Sequence, residues 1–136
     1  MAITRISTGA GGDCATALKN RVDGGSGPGV IKCYDGSMPA SPDDAIGAQT
    51  LLGTLVCSDP CGTVTGKTLN FDAITQDNEA DANGTIVFCR VEDSAGNAVI
   101  DGDASVTAGS GMFKFNTTTV VAGGPIAMTS GAVTVG

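Results

Sequence analysis

Residues 84–106 read GTIVFCRVEDSAGNAVIDGDASV. Two apolar runs, 85–91 and 98–100, flank EDSAGN at 92–97, whose Asp, Ser, Gly and Asn suit a tight connection between antiparallel strands. This stretch predicts a β-hairpin, and the segments on either side repeat its logic of short apolar runs closed by turn residues. Toward the N-terminus, KTLNFDAIT at 67–75 alternates Leu69, Phe71 and Ala73 against Thr68, Asn70 and Asp72, as a strand does. Before it, TLLGTLVC at 50–57 forms a strand ended by the Ser58-Asp59-Pro60 turn. GVIKCYDG at 29–36 is the first strand, with Val30, Lys32 and Tyr34 on one face and Ile31 and Cys33 on the other. Toward the C-terminus, GMFKFNTT at 111–118 alternates in the same way, and a Gly-Gly-Pro turn at 123–125 divides the last two strands. Short strands at this spacing, about seven or eight of them, predict an all-β fold, a β-sandwich or jelly-roll-like domain.

One segment departs from that period. DCATALKNRVD at 13–23 places Cys14, Ala17, Leu18 and Val22 near one side at helical spacing, which predicts one short N-terminal α-helix. Asp13 is the expected cap at its start, Lys19 and Arg21 suit its last turn, and Gly24 its left-handed exit. About three turns of helix are marginal alone, so it must lean on the sheet. Residues 37–49, SMPASPDDAIGAQ, carry two prolines and no sustained period. They are expected as a long loop, and such loops commonly form contact surfaces. The chain of 136 residues is thus one domain, 1–136, with the helix near 13–23 and the sandwich from about 29 to 136.

Composition narrows the classes of partner. Hydrophobic residues make up 41% and aromatic ones 4%, with 21 glycines, too apolar for disorder and well suited to strands and turns. Fourteen acids against seven bases give a net charge of -7 and a pI near 4.1, which repels a phosphate backbone. No nucleic acid is expected as partner. No apolar run approaches the roughly 18 residues of a membrane span, and MAITRISTGAGG at 1–12 lacks a signal-peptide core, so synthesis in a cytoplasm and no membrane contact are expected.

The motifs that hint at chemistry each fail on a specific residue. GTVTGKT at 62–68 has three residues between its glycines where a phosphate-cradling loop needs four, and it leads into a strand where that loop must open a helix. DNEADANG at 77–84 offers Glu79, Asp81 and Asn83 at alternate positions like a calcium loop, but the twelfth position from Glu79 is Arg90 instead of a bidentate acid. DGD at 101–103 reads as a charged turn. With no histidine the Ser-His and Cys-His nucleophile pairs are ruled out, Lys67 sits in no base-marking motif, and no carboxylate pair is singled out. No enzyme, cofactor or metal is expected.

Five cysteines remain. Cys57 and Cys61 supply one of the two ligand pairs a zinc site needs, while Cys14, Cys33 and Cys89 lie singly. Cys33 and Cys89 sit within apolar strands, where a cysteine commonly acts as a small buried hydrophobe. Cys14, Cys57 and Cys61 lie near a helix start or a turn, where exposure is easier. An odd number forbids complete pairing within one chain, so at least one thiol stays free or bonds to another molecule. All five are candidates for intra- or intermolecular disulfides, with Cys14, Cys57 and Cys61 foremost and Cys57 or Cys61 expected between chains.

Taken together, MAITRISTGA at 1–10, IKCYDGSMPASPDDA at 31–45, LLGTLVCSDP at 51–60, IVFCRVEDSAGNAVIDGD at 86–103 and NTTTVVAGGPI at 116–126 resemble the small virion-associated structural proteins of tailed bacteriophages. The resemblance spans nearly the whole chain and brings no catalytic signature. It implies a decoration, cement or linking protein on the outer capsid surface of a virion, probing no substrate and touching a major or minor capsid protein as a homo-oligomer. Cysteines at positions such as Cys57 and Cys89 depart from the family pattern and imply a particle fastened covalently. A protein folded in bacterial cytoplasm and released by lysis meets oxidising surroundings only after assembly, which reconciles its thiols with its origin. The rival expectation is a host-surface module of the virion that binds glycan through the Pro-rich loop and acidic turns, although Tyr34 is the sole Tyr or Trp available for sugar stacking.

Overall fold

A computed structural model describes residues 5–135. It is all-β with a single N-terminal helix, α1 (Thr8–Val22). Ten strands follow among the described residues: β1 (Val30–Asp35), β2 (Thr50–Val56), β3 (Gly62–Thr65), β4 (Thr68–Phe71), β5 (Gly84–Thr85), β6 (Phe88–Glu92), β7 (Ala98–Val106), β8 (Phe113–Phe115), β9 (Thr119–Val120) and β10 (Met128–Thr134). Eight of them form one continuous curled sheet in the order β2-β1-β6-β7-β8-β10-β4-β3, and β5 pairs with β9 separately. The all-β architecture with one N-terminal helix expected from the strand spacing is thus built as a large curled sheet.

The hairpin at 84–106 forms as β6 and β7, with Arg90 opposite Asp101 and Val91 opposite Ile100. Its turn is organised by Asp93, whose carboxylate accepts from the backbone N–H of Ala95 and of Asn97, both at 2.9 Å. Its first run is shorter than expected, because residues 84–85 leave to pair with β9 and Val87 faces solvent. The second run is longer and reaches Val106.

The sheet is antiparallel throughout except between β7 and β8. That parallel pair is joined by residues 107–112 alone, well short of the dozen or so that a parallel crossover usually takes. Side chains on β7 hold the tight return: Ser105 Oγ accepts from Gly111 N at 2.9 Å and Asp103 Oδ1 from Met112 N at 3.0 Å. Gly111 lies so close to the β7 backbone that a Cβ there would stand 2.7 Å from Ser105 N.

The helix starts five residues before the expected Asp13. Ser7 caps it, its Oγ accepting from Ala10 N at 3.1 Å, and Asp13 lies exposed within the helix. Its buried residues are Gly11, Ala15 and Val22, with Leu18 packed beside them, while Cys14 and Ala17 face outward. The reason lies in the neighbour. The helix packs on β3 and β4, and Gly11 and Gly12 admit the β3–β4 turn so closely that a Cβ would meet Lys67 Cγ at 2.6 Å and Gly66 O at 2.8 Å. The left-handed residue after the helix is Gly25, at φ +95°, and not Gly24.

The core on one side of the sheet collects Ile31, Cys33, Leu52, Leu55, Cys89, Val91, Ile100, Phe113 and Phe115, closed by Val22 of α1. Phe71 and Phe113 meet with ring centroids 6.0 Å apart. Period-two alternation sends Ile31 and Cys33 of β1 and Cys89 and Val91 of β6 into this core. Yet every residue of β6 is buried, so the opposite face is covered as well.

Candidate functional site

On that opposite face Lys32, Arg90 and Asp101 stand in register across β1, β6 and β7. Tyr34 stacks on Phe88 beside them, centroids 5.1 Å apart. Arg90 is 4% exposed and its charge is matched in place: Nε donates to Asp101 Oδ1 at 2.7 Å and Nη2 to Asp101 Oδ2 at 2.9 Å. This is the two-pronged arrangement that makes Arg–carboxylate pairs strong. The bond to Asp101 raises the Arg90 pKa further, against burial, so the guanidinium stays charged. Lys32 is drawn the other way along the face, to Glu92 at 3.0 Å.

The remaining donors of Arg90 reach out of the sheet. Nη1 donates to Asp44 O at 2.8 Å and Nη2 to Ser41 O at 3.4 Å, so one guanidinium ties the sheet to the middle of the 36–49 loop. The base of the loop is closed by Gln49, whose Nε2 donates to Ser37 O at 2.7 Å while its Oε1 accepts from Gly47 N at 2.8 Å. Asp44 N donates to Ser41 O at 3.0 Å within it. The loop has no regular secondary structure, yet it is held at its base and centre and presents Met38, 45% exposed, at its surface. Sequence reading found the loop but missed its anchor, because Arg90 appeared there only as the residue that spoils a calcium loop.

The thiols divide differently from expectation. Cys14 is exposed on α1, but Cys57 and Cys61 are buried, and all five cysteines are free. The turn at 58–60 is exposed at Asp59 and Pro60, yet the cysteines on either side of it are not, and the end of α1 closes over Cys61: Asp23 Oδ1 accepts from Cys61 N at 2.7 Å, and Cys61 Sγ lies 3.9 Å from Lys19 O. Burial, with Asp23 close by, pushes the Cys57 and Cys61 thiols up to about 12. They are protonated and out of a neighbour's reach, which removes the ground for placing an intermolecular bond there. Cys33 and Cys89 are fully buried, as a pair of small hydrophobes in adjacent strands, with their sulfurs 3.6 Å apart.

The other flagged motifs are absorbed into structure. GTVTGKT is the β3–β4 hairpin, with Thr65 opposite Thr68 and Gly66 at φ +60° in its two-residue turn. In 77–84, Asp77 accepts from Thr54 N at 3.0 Å and Glu79 N at 2.9 Å, and Asn83 accepts from Ala122 N at 2.8 Å. In DGD, Asp101 pairs with Arg90 and Asp103 braces Met112. Among the described residues no three His, Cys, Asp or Glu side chains stand together as a metal would need. No helix there is long and apolar enough to cross a membrane. The chain matches no family model, no curated protein and no solved structure.

Proposed function

We propose that this chain is a structural, non-enzymatic component of a virus particle of the tailed-bacteriophage kind, seated on the outer capsid surface and docking on a major or minor capsid protein through the 36–49 loop. The observation that supports it is the Arg90 anchor. A loop without secondary structure normally loses much conformational freedom on binding, and one already tied to the sheet loses less. A buried charge pair invested in holding an exposed loop still is suited to adhesion, where the surface must keep one shape. The acidic surface agrees with a position outside a DNA-filled shell.

In this reading neighbouring copies are fastened by Cys14, the exposed thiol, once lysis brings the particle into oxidising surroundings. The test is re-addition of recombinant chain to particles stripped of it. Wild-type chain rebinds and Met38→Glu does not, with both proteins unfolding at the same urea concentration. Equal rebinding by the two variants overturns the loop as the docking surface. Absence of the chain from purified particles overturns the assignment itself.

A further inference from the structure

Cys33 and Cys89 are 56 residues apart in sequence and directly opposite in the β1–β6 ladder. Directly opposed residues of an antiparallel pair have Cα atoms about 4.5–5.5 Å apart, inside the roughly 4.4–6.8 Å span of disulfide-bonded cysteines. The side chains already point at each other, with Sγ atoms 3.6 Å apart, and both lie fully inside the core. Ile31, Val91 and Ile100 flank them on the same face.

We infer that Cys33 and Cys89 are a disulfide site that closes while the chain folds and is then sealed by the core. This goes beyond the virion reading; for a chain that folds in a reducing cytoplasm, closure belongs to molecules in which β1 parts from β6 after release. The chemistry needs a thiolate, and in the folded protein burial, with the neighbouring Cys33, holds the Cys89 thiol protonated well beyond the ordinary thiol range. Closure therefore belongs to the open chain, or to molecules in which β1 has parted from β6. There one cysteine thiolate attacks a sulfur of a small-molecule disulfide such as oxidised glutathione, breaking its S–S bond, expelling one glutathione thiolate and leaving a mixed disulfide. The second cysteine thiolate attacks the protein sulfur of that mixed disulfide, forms the Cys33–Cys89 bond and expels the second glutathione thiolate. Two electrons pass from the cysteines to the glutathione, and the two thiol protons end on the released thiols. After folding, the same burial that blocked oxidation keeps reductant from the bond.

The experiment uses the full chain in two samples. One is kept folded and reduced, then exposed to oxidised glutathione; the other is unfolded in urea and refolded in a glutathione redox mixture. Each is alkylated, digested without reductant and mapped by mass spectrometry. The expected result is free, alkylatable Cys33 and Cys89 from the first sample after denaturation. From the second, the two peptides come joined and lighter by two hydrogen atoms, with a higher urea midpoint than the reduced protein. Joining of Cys33 or Cys89 to Cys57, Cys61 or Cys14 overturns the pairing, as does recovery of both as free thiols after oxidative refolding. Rapid closure in the folded sample overturns the sealing by the core. Mapping of the unsubstituted chain keeps these outcomes readable even where Cys33→Ala or Cys89→Ala does not fold.

Discussion

Arg90 and Asp101 face each other across the β6–β7 hairpin, joined by two bonds of 2.7 and 2.9 Å, with side chains 5% and 4% exposed. Arg90 lies on β6, the strand whose residues are buried on both faces of the sheet. Arg90 is the only buried cation among the described residues, and it is the group that reaches the 36–49 loop. Stability and surface shape thus meet in one guanidinium.

Removing one partner leaves the other charge buried and uncompensated. Asp101→Ala is expected to lower stability by about 3–5 kcal/mol in urea unfolding. Replacing both, as in the double variant Arg90→Met with Asp101→Leu, is expected to restore most of that loss, since an apolar pair needs no desolvated charge. The double variant nevertheless loses the bonds to Ser41 and Asp44, so limited proteolysis should cut within 36–49 faster than in wild type. Equal cutting would show that the loop is held by something other than Arg90.

The buried thiols make stability depend on alkaline pH. Cys57 and Cys61 are raised from 9.0 to about 12, so folding favours their protonated form. Their contribution is fully present below pH 9.0 and is lost as pH rises toward about 12. Urea midpoints should hold steady up to pH 9.0 and then fall. In native protein at mildly alkaline pH, iodoacetamide should modify Cys14 first and leave Cys57 and Cys61 untouched until the chain unfolds, as read by mass spectrometry.

Two glycines of one helix should respond in opposite directions. Gly9 has nothing within 4 Å of a built Cβ, so Gly9→Ala is expected to raise stability by about 0.5 kcal/mol through helix propensity. Gly12 has Gly66 O at 2.8 Å from that position, and Gly12→Ala is expected to lower stability by about 1–3 kcal/mol because backbone must move. Thermal or urea unfolding of the pair separates tertiary approach from propensity.

At the hairpin turn, bonds from the backbone and side chain of Asn97 hold the Asp93 carboxyl below the usual carboxylate range. A lowered folded pKa means the turn is supported above the ordinary carboxylate pKa and loses that support as pH falls through the lowered one. An NMR titration should find Asp93 ionising below its ordinary value, and Asn97→Ala, which removes the side-chain donor and keeps the backbone one, should bring it only part of the way back. Asp93 is fully exposed, so the effect belongs to the turn more than to the whole fold.

The strands at 30–35, 50–56 and 113–115 were legible because apolar and polar residues alternate there or stop at Pro and Gly. The hairpin was legible from EDSAGN. Its full burial was not: Glu92 read as part of the connecting turn, and nothing local to Arg90 shows that the 36–49 loop is tied over it. The helix start was misplaced because three glycines at 9, 11 and 12 argue against helix by propensity, whereas two of them are required by the close β3–β4 turn. The burial of Cys57 and Cys61 was hidden for a related reason, since a Ser-Asp-Pro turn signals exposure locally while the covering helix comes from 38 residues away, through Asp23. In each case local signals were sound and a tertiary neighbour outweighed them.

A cryo-electron density map of intact purified particles bears most directly on the proposed role. The expected map holds this chain on the outer shell, with residues 36–49 in contact with a capsid subunit and Met38 inside that contact. Particles that lack the chain, or that carry it with the loop turned to solvent, contradict the proposal.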